Sequence, residues 1–86
     1  MVTSAVVGPD SEPPRVAYAI GRGVGTAVVR NRVRRRLRAA TRAHAADFEP
    51  GCAYLVSTGP AAATRSYAEL STSLHDALSA LREETI

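Results

Sequence analysis

The chain has 86 residues with a formal net charge of +3, and all 11 basic side chains are arginines. A chain this short forms one domain, residues 1–86, with a thin core, which argues against a large catalytic cleft. Its single cysteine excludes an internal disulfide and a multi-cysteine zinc site, and no stretch reads as a signal peptide or a membrane span. We therefore expect a cytoplasmic protein with no membrane partner.

The first elements in chain order are two strands separated by a turn. Residues 2–7 (VTSAVV) are β-prone, and the segment GPDSEPP that follows is rich in turn-forming glycine and proline. Residues 15–21 (RVAYAIG) then alternate. The face predicted to lie in the core carries Val16, Tyr18 and Ile20. The opposite face carries Arg15, Ala17 and Ala19, and its small side chains predict a shallow surface on which an extended ligand lies.

A long helix is predicted next, from an N-cap at Thr26 to about Ala46, where the segment DFEPG ends it. Its predicted inward stripe consists of Val29, Val33, Leu37 and Ala40. Arginine fills six of the nine positions 30–38, and no acidic residue lies anywhere between Arg15 and Arg42. Like charges at helical spacing repel one another, so this surface calls for a polyanionic partner.

Arginine favours a nucleic acid as that partner, because its planar group grips phosphate oxygens in a bidentate manner and stacks on bases. A solvated helix or one lying on a membrane surface is the alternative. The membrane alternative is weak, since the inward stripe lacks the large apolar residues that a bilayer-bound helix needs.

The remaining elements are a strand over residues 52–58 (CAYLVST) and a final helix to about Glu84. Ser66 and Glu69 have the spacing of a capping box that begins this helix. The residues that we expect to dock the helix on the sheet are Tyr67, Leu70, Leu74, Leu78 and Leu81. The order β-β-α-β-α predicts an α+β fold.

Other chemistry-bearing residues suggest no active site. The segment GRGVGT at 21–26 predicts a tight strand-to-helix turn, since its glycine spacing does not fit a nucleotide loop. His44 and His75 are far apart in the sequence, so we interpret them as ordinary surface or interfacial residues and expect no metal site. Cys52 is expected to act as a small buried hydrophobe. Tyr18, Tyr54 and Tyr67 are all interpreted as core residues, and no catalytic residue is assigned.

Residues 15–42, RVAYAIGRGVGTAVVRNRVRRRLRAATR, closely resemble the protein component of bacterial ribonuclease P. Arg30, Asn31 and Arg32 match the RNR triplet of that family, and the basic positions after it are matched by Arg34, Arg35 and Arg38. The segment CAYLVSTGPAAATRSYAEL is similar to the family's third strand, loop and helix start, so the resemblance covers roughly residues 15–82.

The resemblance implies a fold of the ribosomal protein S5 domain 2-like class, with a left-handed β-α-β crossover. It implies a protein subunit that binds ribonuclease P RNA and precursor tRNA. The ribonuclease P RNA would remove the 5′ leader with its own bound divalent metal ion (Mg²⁺). No cofactor in the protein and no small-molecule substrate are expected. The residues expected to bind RNA are Arg22, Arg30, Asn31, Arg32, Arg34, Arg35, Arg38 and Arg42. The residues expected to line a groove for the leader are Val2, Ser4, Ala17 and Ala19.

The sequence departs from the family's pattern at its start. Family members begin with a basic helix bearing aromatic residues, whereas this chain starts at or inside the first strand, with Ser4 where a family aromatic could lie. A misassigned start and a shortened form with weaker leader binding both remain open, and we expect marginal stability for the isolated chain. The turn at Arg22-Gly23 and the segment STG at 57–59 also have fewer basic residues than the family pattern.

Two other functions stay open from the residues alone. The first is a generic module for structured RNA, such as a ribosome-associated protein, which would use the same helix without a ribozyme partner. The second is an enzyme with its own site, such as a nuclease. The lack of an evident carboxylate cluster or histidine pair in the sequence argues against the enzyme.

Overall fold

The computed structural model describes residues 2–8 and 12–84, with side chains for residues 8 and 12–83. Three strands and two long helices follow one another as β1 (Val2–Val7), β2 (Arg15–Ile20), α1 (Ala27–Ala43), β3 (Cys52–Thr58) and α2 (Tyr67–Glu84). The strand order in the sheet is β1-β3-β2, with β1 antiparallel and β2 parallel to β3. The predicted β-β-α-β-α order and α+β class are confirmed.

The sheet has one buried and one open face, as the alternation in β2 predicts. Val16, Tyr18 and Ile20 pack against the core, whereas Arg15, Ala17 and Ala19 are exposed. On β3, Tyr54 and Val56 are buried and lie on the same side as the core residues of β2. Both helices pack on the edge strands, α1 against β2 and α2 against β1, and they also pack against each other.

Helix α1 begins at its predicted N-cap and ends earlier than predicted. The Thr26 side chain accepts a hydrogen bond from the Val29 amide, and the helix stops at Ala43 instead of continuing to Ala46. Residues 45–47 form a short 3₁₀ turn instead. This turn directs Phe48 into the core, where its ring packs edge-on against Tyr54 at a centroid distance of 4.9 Å. Burial of that aromatic ring outweighs the helix propensity of two more alanines.

The predicted inward stripe of α1 is confirmed by its burial. Val33, Leu37 and Ala40 are fully buried, and Val29 packs against the core at the start of the helix. A second contact fixes the helix on the sheet: the Tyr18 hydroxyl donates to Thr41 Oγ1 at 2.9 Å. The arginines of α1 are therefore displayed on an element held by both apolar and polar contacts.

The capping box of α2 is confirmed, and one predicted core residue is not. The Ser66 amide donates to Glu69 Oε1 at 3.0 Å, and the Glu69 amide donates to Ser66 Oγ at 3.1 Å. Leu70, Leu74 and Leu78 are buried, but Tyr67 is 39% exposed, so its interpretation as a core residue was wrong. Tyr67 is the first residue of the helix and lies beside exposed arginines of α1, where the core does not extend.

Candidate nucleic-acid interface

The outer surface of α1 carries a concentrated positive charge, here called the arginine face and consisting of the seven arginines of the helix. They are Arg30, Arg32, Arg34, Arg35, Arg36, Arg38 and Arg42. The helix contains no acidic residue, and none of these arginines forms an ion pair with a carboxylate of residues 2–8 or 12–83. Their mutual repulsion is not relieved by the described part of the chain, so the surface is suited to a polyanion.

Two members of the arginine face support the neighbouring loop. Arg36 Nη1 donates to the carbonyl oxygen of Arg65 at 2.8 Å, and Arg32 Nη2 reaches the carbonyl oxygen of Ala63 at 3.4 Å. These contacts tie the 3₁₀ turn Pro60–Thr64 and the residue after it to the helix. Arg32 was predicted from the resemblance to bind RNA, and the structure shows that its side chain also has this internal contact.

Asn31 orients a second part of the arginine face. Its Oδ1 accepts a hydrogen bond from Arg34 Nη1 at 2.9 Å, which directs that side chain along the helix surface. Both residues line a shallow recess together with Val28, Arg35 and Arg38. Val28 is 76% exposed and was missed by the sequence reasoning, although its position off the apolar stripe could have indicated it. The recess combines guanidinium groups with an apolar contact, which suits a nucleotide.

Arg22 and Arg42 lie toward opposite ends of α1, and both are exposed. Arg22 begins the 3₁₀ turn Arg22–Val24, whose last residue is buried and which packs against the turn Pro60–Thr64.

Gly25 follows this turn with a φ of 144°, and a Cβ there would lie 3.2 Å from the Val29 side chain. Glycine is needed at this position because the backbone is left-handed and closely packed. The segment is the tight turn that the sequence predicts.

The open face of the sheet is the candidate groove. Ala17 lies in register beside Leu55, and Ala19 lies beside Ser57. Leu55 is 37% exposed and adds an apolar side chain to this face, which the sequence reasoning did not include although the alternation of β3 places it there. On β1, Ser4 pairs with Leu55 and Val2 with buried Val56, across a register irregularity. The predicted groove contacts of Val2 and Ser4 concern side chains outside the described residues.

Comparison with known proteins identifies the family. The family model described as Ribonuclease P matches residues 2–82. The chain belongs to the ribonuclease P protein family. A ribonuclease P protein component from Beutenbergia cavernae is 40% identical over 81 residues, covering 94% of this chain and 68% of the relative. One from Thermobifida fusca is 42% identical over 69 residues, covering 80% of this chain and 47% of the relative.

A solved structure of Staphylococcus aureus RNase P protein shares the fold, with a TM-score of 0.77 at 16% sequence identity. The match covers 94% of this chain and 80% of that chain. It confirms the fold class that the resemblance implies. The chain spans about half to two thirds of the length of the curated relatives named above.

Within this ribonuclease P family fold, the two histidines are neighbours in space although they are far apart in the sequence, and both lie at the surface as the sequence-based interpretation expects. The rings of His44 and His75 have centroids 5.3 Å apart, and Asp47 lies against both. They come together because His44 caps α1, Asp47 lies in the following turn and α2 packs across both. Burial alone would raise the pKa of Asp47, but the hydrogen bond from His75 and the charges of Arg82 and His75 hold it below its ordinary value.

Among the residues that the structure describes, no helix is long and apolar enough to cross a membrane. The outward surface of α1 carries arginines from Arg30 to Arg42.

Proposed function

We propose that this chain is the RNA-binding protein subunit of ribonuclease P and assists the catalytic RNA in removing the 5′ leader from precursor tRNA in the cytoplasm. The observation that carries the proposal is the arginine face, which family membership connects to ribonuclease P RNA. A helix with seven arginines and no acid binds a polyanion by releasing condensed counterions.

The phosphates of the catalytic RNA would be held mainly by arginines of the helix that do not hydrogen-bond to the neighbouring loop. Arg35 and Arg38 are exposed and have no hydrogen-bond partner among the described residues. Arg34 is oriented by Asn31, so it loses less conformational freedom when it grips a phosphate. Arg30, Arg42 and Arg22 extend the same positive surface along and beyond the helix.

The single-stranded leader of the precursor tRNA would lie on the open face of the sheet. The side chains of Ala17 and Ala19 are small enough to let a nucleotide backbone approach the strands, and Leu55 supplies an apolar contact between them and β1. Arg15 lies on the same face and is paired with Glu12 at 3.4 Å in an exposed contact. An exposed ion pair is weak, so this arginine can turn to a phosphate at little cost.

Cleavage of the scissile phosphodiester would use divalent metal held by the RNA subunit, with Mg²⁺ supplying the activated water and stabilising the leaving oxygen. The task of the protein is to bind and position the two RNAs. Positioning lowers the barrier because it converts a bimolecular encounter into a reaction within one assembly.

Competition between RNAs tests the proposal against a generic RNA-binding module. The affinity of the chain for ribonuclease P RNA is compared with its affinity for a structured RNA of equal length and equal charge at the same salt concentration. A clear preference for ribonuclease P RNA is expected, and equal affinity would favour the generic module.

A pair of matched variants connects that preference to the arginine face. Arg35→Ala and Arg65→Ala each remove one exposed positive charge, but only Arg35 lies on α1. The first should weaken binding to ribonuclease P RNA by roughly tenfold, about the effect of one charge-assisted contact, and the second should leave it nearly unchanged. Equal effects of both variants would contradict a role for this helix surface.

A further inference from the structure

A cluster of three potential metal ligands lies at the C-terminal end of α1, away from the recess of the arginine face. His44 caps the helix, Asp47 ends the 3₁₀ turn after it, and His75 lies on α2. One ligand atom from each residue lies within 4.8 Å of the other two. Residues from two helices and the turn between β3 and α1 therefore converge on one point.

The distances within the cluster suit a small transition-metal ion. Asp47 Oδ2 lies 3.2 Å from His75 Nδ1 and 3.6 Å from His44 Nδ1. Zinc bonds to histidine and carboxylate ligands are about 2.0 to 2.2 Å long, so tetrahedral geometry separates neighbouring ligand atoms by roughly 3.3 to 3.5 Å. The two edges to Asp47 are close to this separation, whereas the edge between the histidines is bounded only by 4.8 Å, so the imidazoles would close around such an ion by changing rotamer.

In two of these side chains, Asp47 and His44, the other polar atom already has an orienting partner. Asp47 Oδ1 accepts a hydrogen bond from Arg82 Nη2 at 3.1 Å, which leaves Oδ2 directed at the two rings. His44 Nε2 lies 2.9 Å from Ser71 Oγ. A neutral His44 with its proton on Nε2 donates to that hydroxyl and presents a lone pair on Nδ1. A hydrogen-bonded distal nitrogen and a hydrogen-bonded carboxylate are the outer-shell arrangement found around bound metals.

We propose that His44, Asp47 and His75 bind a Zn²⁺-type transition-metal ion. Two imidazoles and one carboxylate favour such an ion, whereas Mg²⁺ prefers an all-oxygen site. The ion would link the C-terminal end of α1 to α2 and leave a fourth position open to water. His75 is 49% exposed, so the ion can enter from solvent.

The consequence of this link is stability of the element that carries the arginine face. A chain of 86 residues has a thin core, and small domains gain stability when a metal bridges elements distant in sequence. Binding of the ion needs no RNA, so it can be tested separately from the function proposed above.

The test is thermal unfolding of the whole chain with and without a small excess of ZnCl₂, together with calorimetric titration. Zn²⁺ is expected to bind with a stoichiometry of one and to raise Tm by roughly 5 to 10 °C at saturation, while MgCl₂ at the same concentration leaves Tm unchanged. Absence of a shift with Zn²⁺ would mean that the three residues form only a hydrogen-bond network and would overturn the proposal.

Matched variants locate the ion. His75→Ala removes a ligand that is half exposed, so the chain should still fold, and the Zn²⁺-dependent rise in Tm should disappear. Asp76→Asn changes the exposed carboxylate next to it, which is outside the cluster, and should keep the full rise. A rise that persists in His75→Ala would place the ion elsewhere and contradict the assignment. Co²⁺ provides a second readout, since a tetrahedral spectrum is expected with the unaltered chain and not with His75→Ala.

Discussion

Arg36 and Arg65 are joined by a hydrogen bond of 2.8 Å from the guanidinium of the first to the backbone carbonyl of the second. The bond shows that the arginines of α1 do not all serve the same purpose. Arg36 is half-buried and fixes the loop before α2, whereas Arg35, its neighbour in sequence, is exposed and has no internal partner among the described residues. Stability and RNA affinity should therefore respond to different substitutions on one helix.

The first prediction separates these two roles. Arg36→Ala should lower the free energy of unfolding by about 1 kcal/mol, because it removes a hydrogen bond and leaves the Arg65 carbonyl without this partner. Arg35→Ala should change stability by less than about 0.5 kcal/mol, as is usual for an exposed position. Urea unfolding of both variants measures the difference. Equal stabilities would contradict a structural role for Arg36.

The second prediction concerns the contact that holds α1 on the sheet. Tyr18→Phe removes the hydroxyl that donates to Thr41 Oγ1 at 2.9 Å, and Thr41 in turn donates to the Leu37 carbonyl at 2.9 Å. The free energy of unfolding should fall by about 0.5 to 1.5 kcal/mol. Tyr67→Phe is the control, since the structure gives that exposed hydroxyl no described partner, and it should have little effect. Denaturant unfolding that ranks the two variants equally would argue against the contact.

The third prediction is a pH dependence of the capping box. The hydrogen bonds with the Ser66 amide and hydroxyl lower the pKa of Glu69, burial opposes them slightly, and the charge of Arg65 adds to the lowering. A carboxyl group with a lowered pKa in the folded state contributes stability above its unfolded pKa, and the contribution is lost as pH falls through the folded pKa. Stability should therefore decrease on acidification through the range in which glutamate titrates.

Glu69→Gln isolates this effect. Glutamine can still bond to the Ser66 amide, as in many capping boxes, but it does not titrate. The variant should be less stable than the unaltered chain near pH 7, and the difference should shrink toward about pH 3. Urea unfolding at several pH values measures it. Two parallel stability curves over this range would contradict the predicted linkage.

The fourth prediction is the salt dependence of RNA binding. If about five or six phosphates are neutralised, log K should fall against log salt with a slope of about −4 to −5. Arg35→Ala should make the slope shallower by about 1, because one phosphate contact is lost. Filter binding or fluorescence anisotropy over a range of salt concentrations provides the slopes. An affinity independent of salt would contradict the electrostatic account.

Local sequence patterns predicted most of the secondary structure because the signals are themselves local. The Thr26 cap, the inward stripe of α1 and the Ser66–Glu69 box each depend on side chains within a few residues of one another. The early end of α1 could not be found in this way, since it depends on burying Phe48 beside Tyr54, which comes from another element. Tyr67 was predicted to be a core residue for a similar reason: its helical spacing is a local signal, whereas its exposure depends on how far the core extends between the elements.

In the candidate site, too, the sequence predicts the local features and not those that depend on contacts between distant segments. The sequence alone shows the positive charge of the arginine face. The hydrogen bond from Arg36 to the Arg65 carbonyl could not be predicted, because the two residues are 29 positions apart in the chain. The cluster of His44, Asp47 and His75 depends on how α2 crosses the end of α1, so spacing along the chain could not reveal it. The exposed Leu55 of the sheet face could have been found, because the alternation of its strand already indicates which side it occupies.

The most direct test of the central claim is cleavage of a precursor tRNA by a bacterial ribonuclease P RNA at low magnesium concentration, with and without this chain. A subunit that contributes positive charge and holds the leader should increase kcat/KM under these conditions, because it replaces part of the charge neutralisation otherwise supplied by Mg²⁺. Stimulation by the unaltered chain, reduced in the Arg35→Ala variant, is the predicted result. Cleavage at the same rate with and without the chain would contradict its assignment as a functional subunit of ribonuclease P.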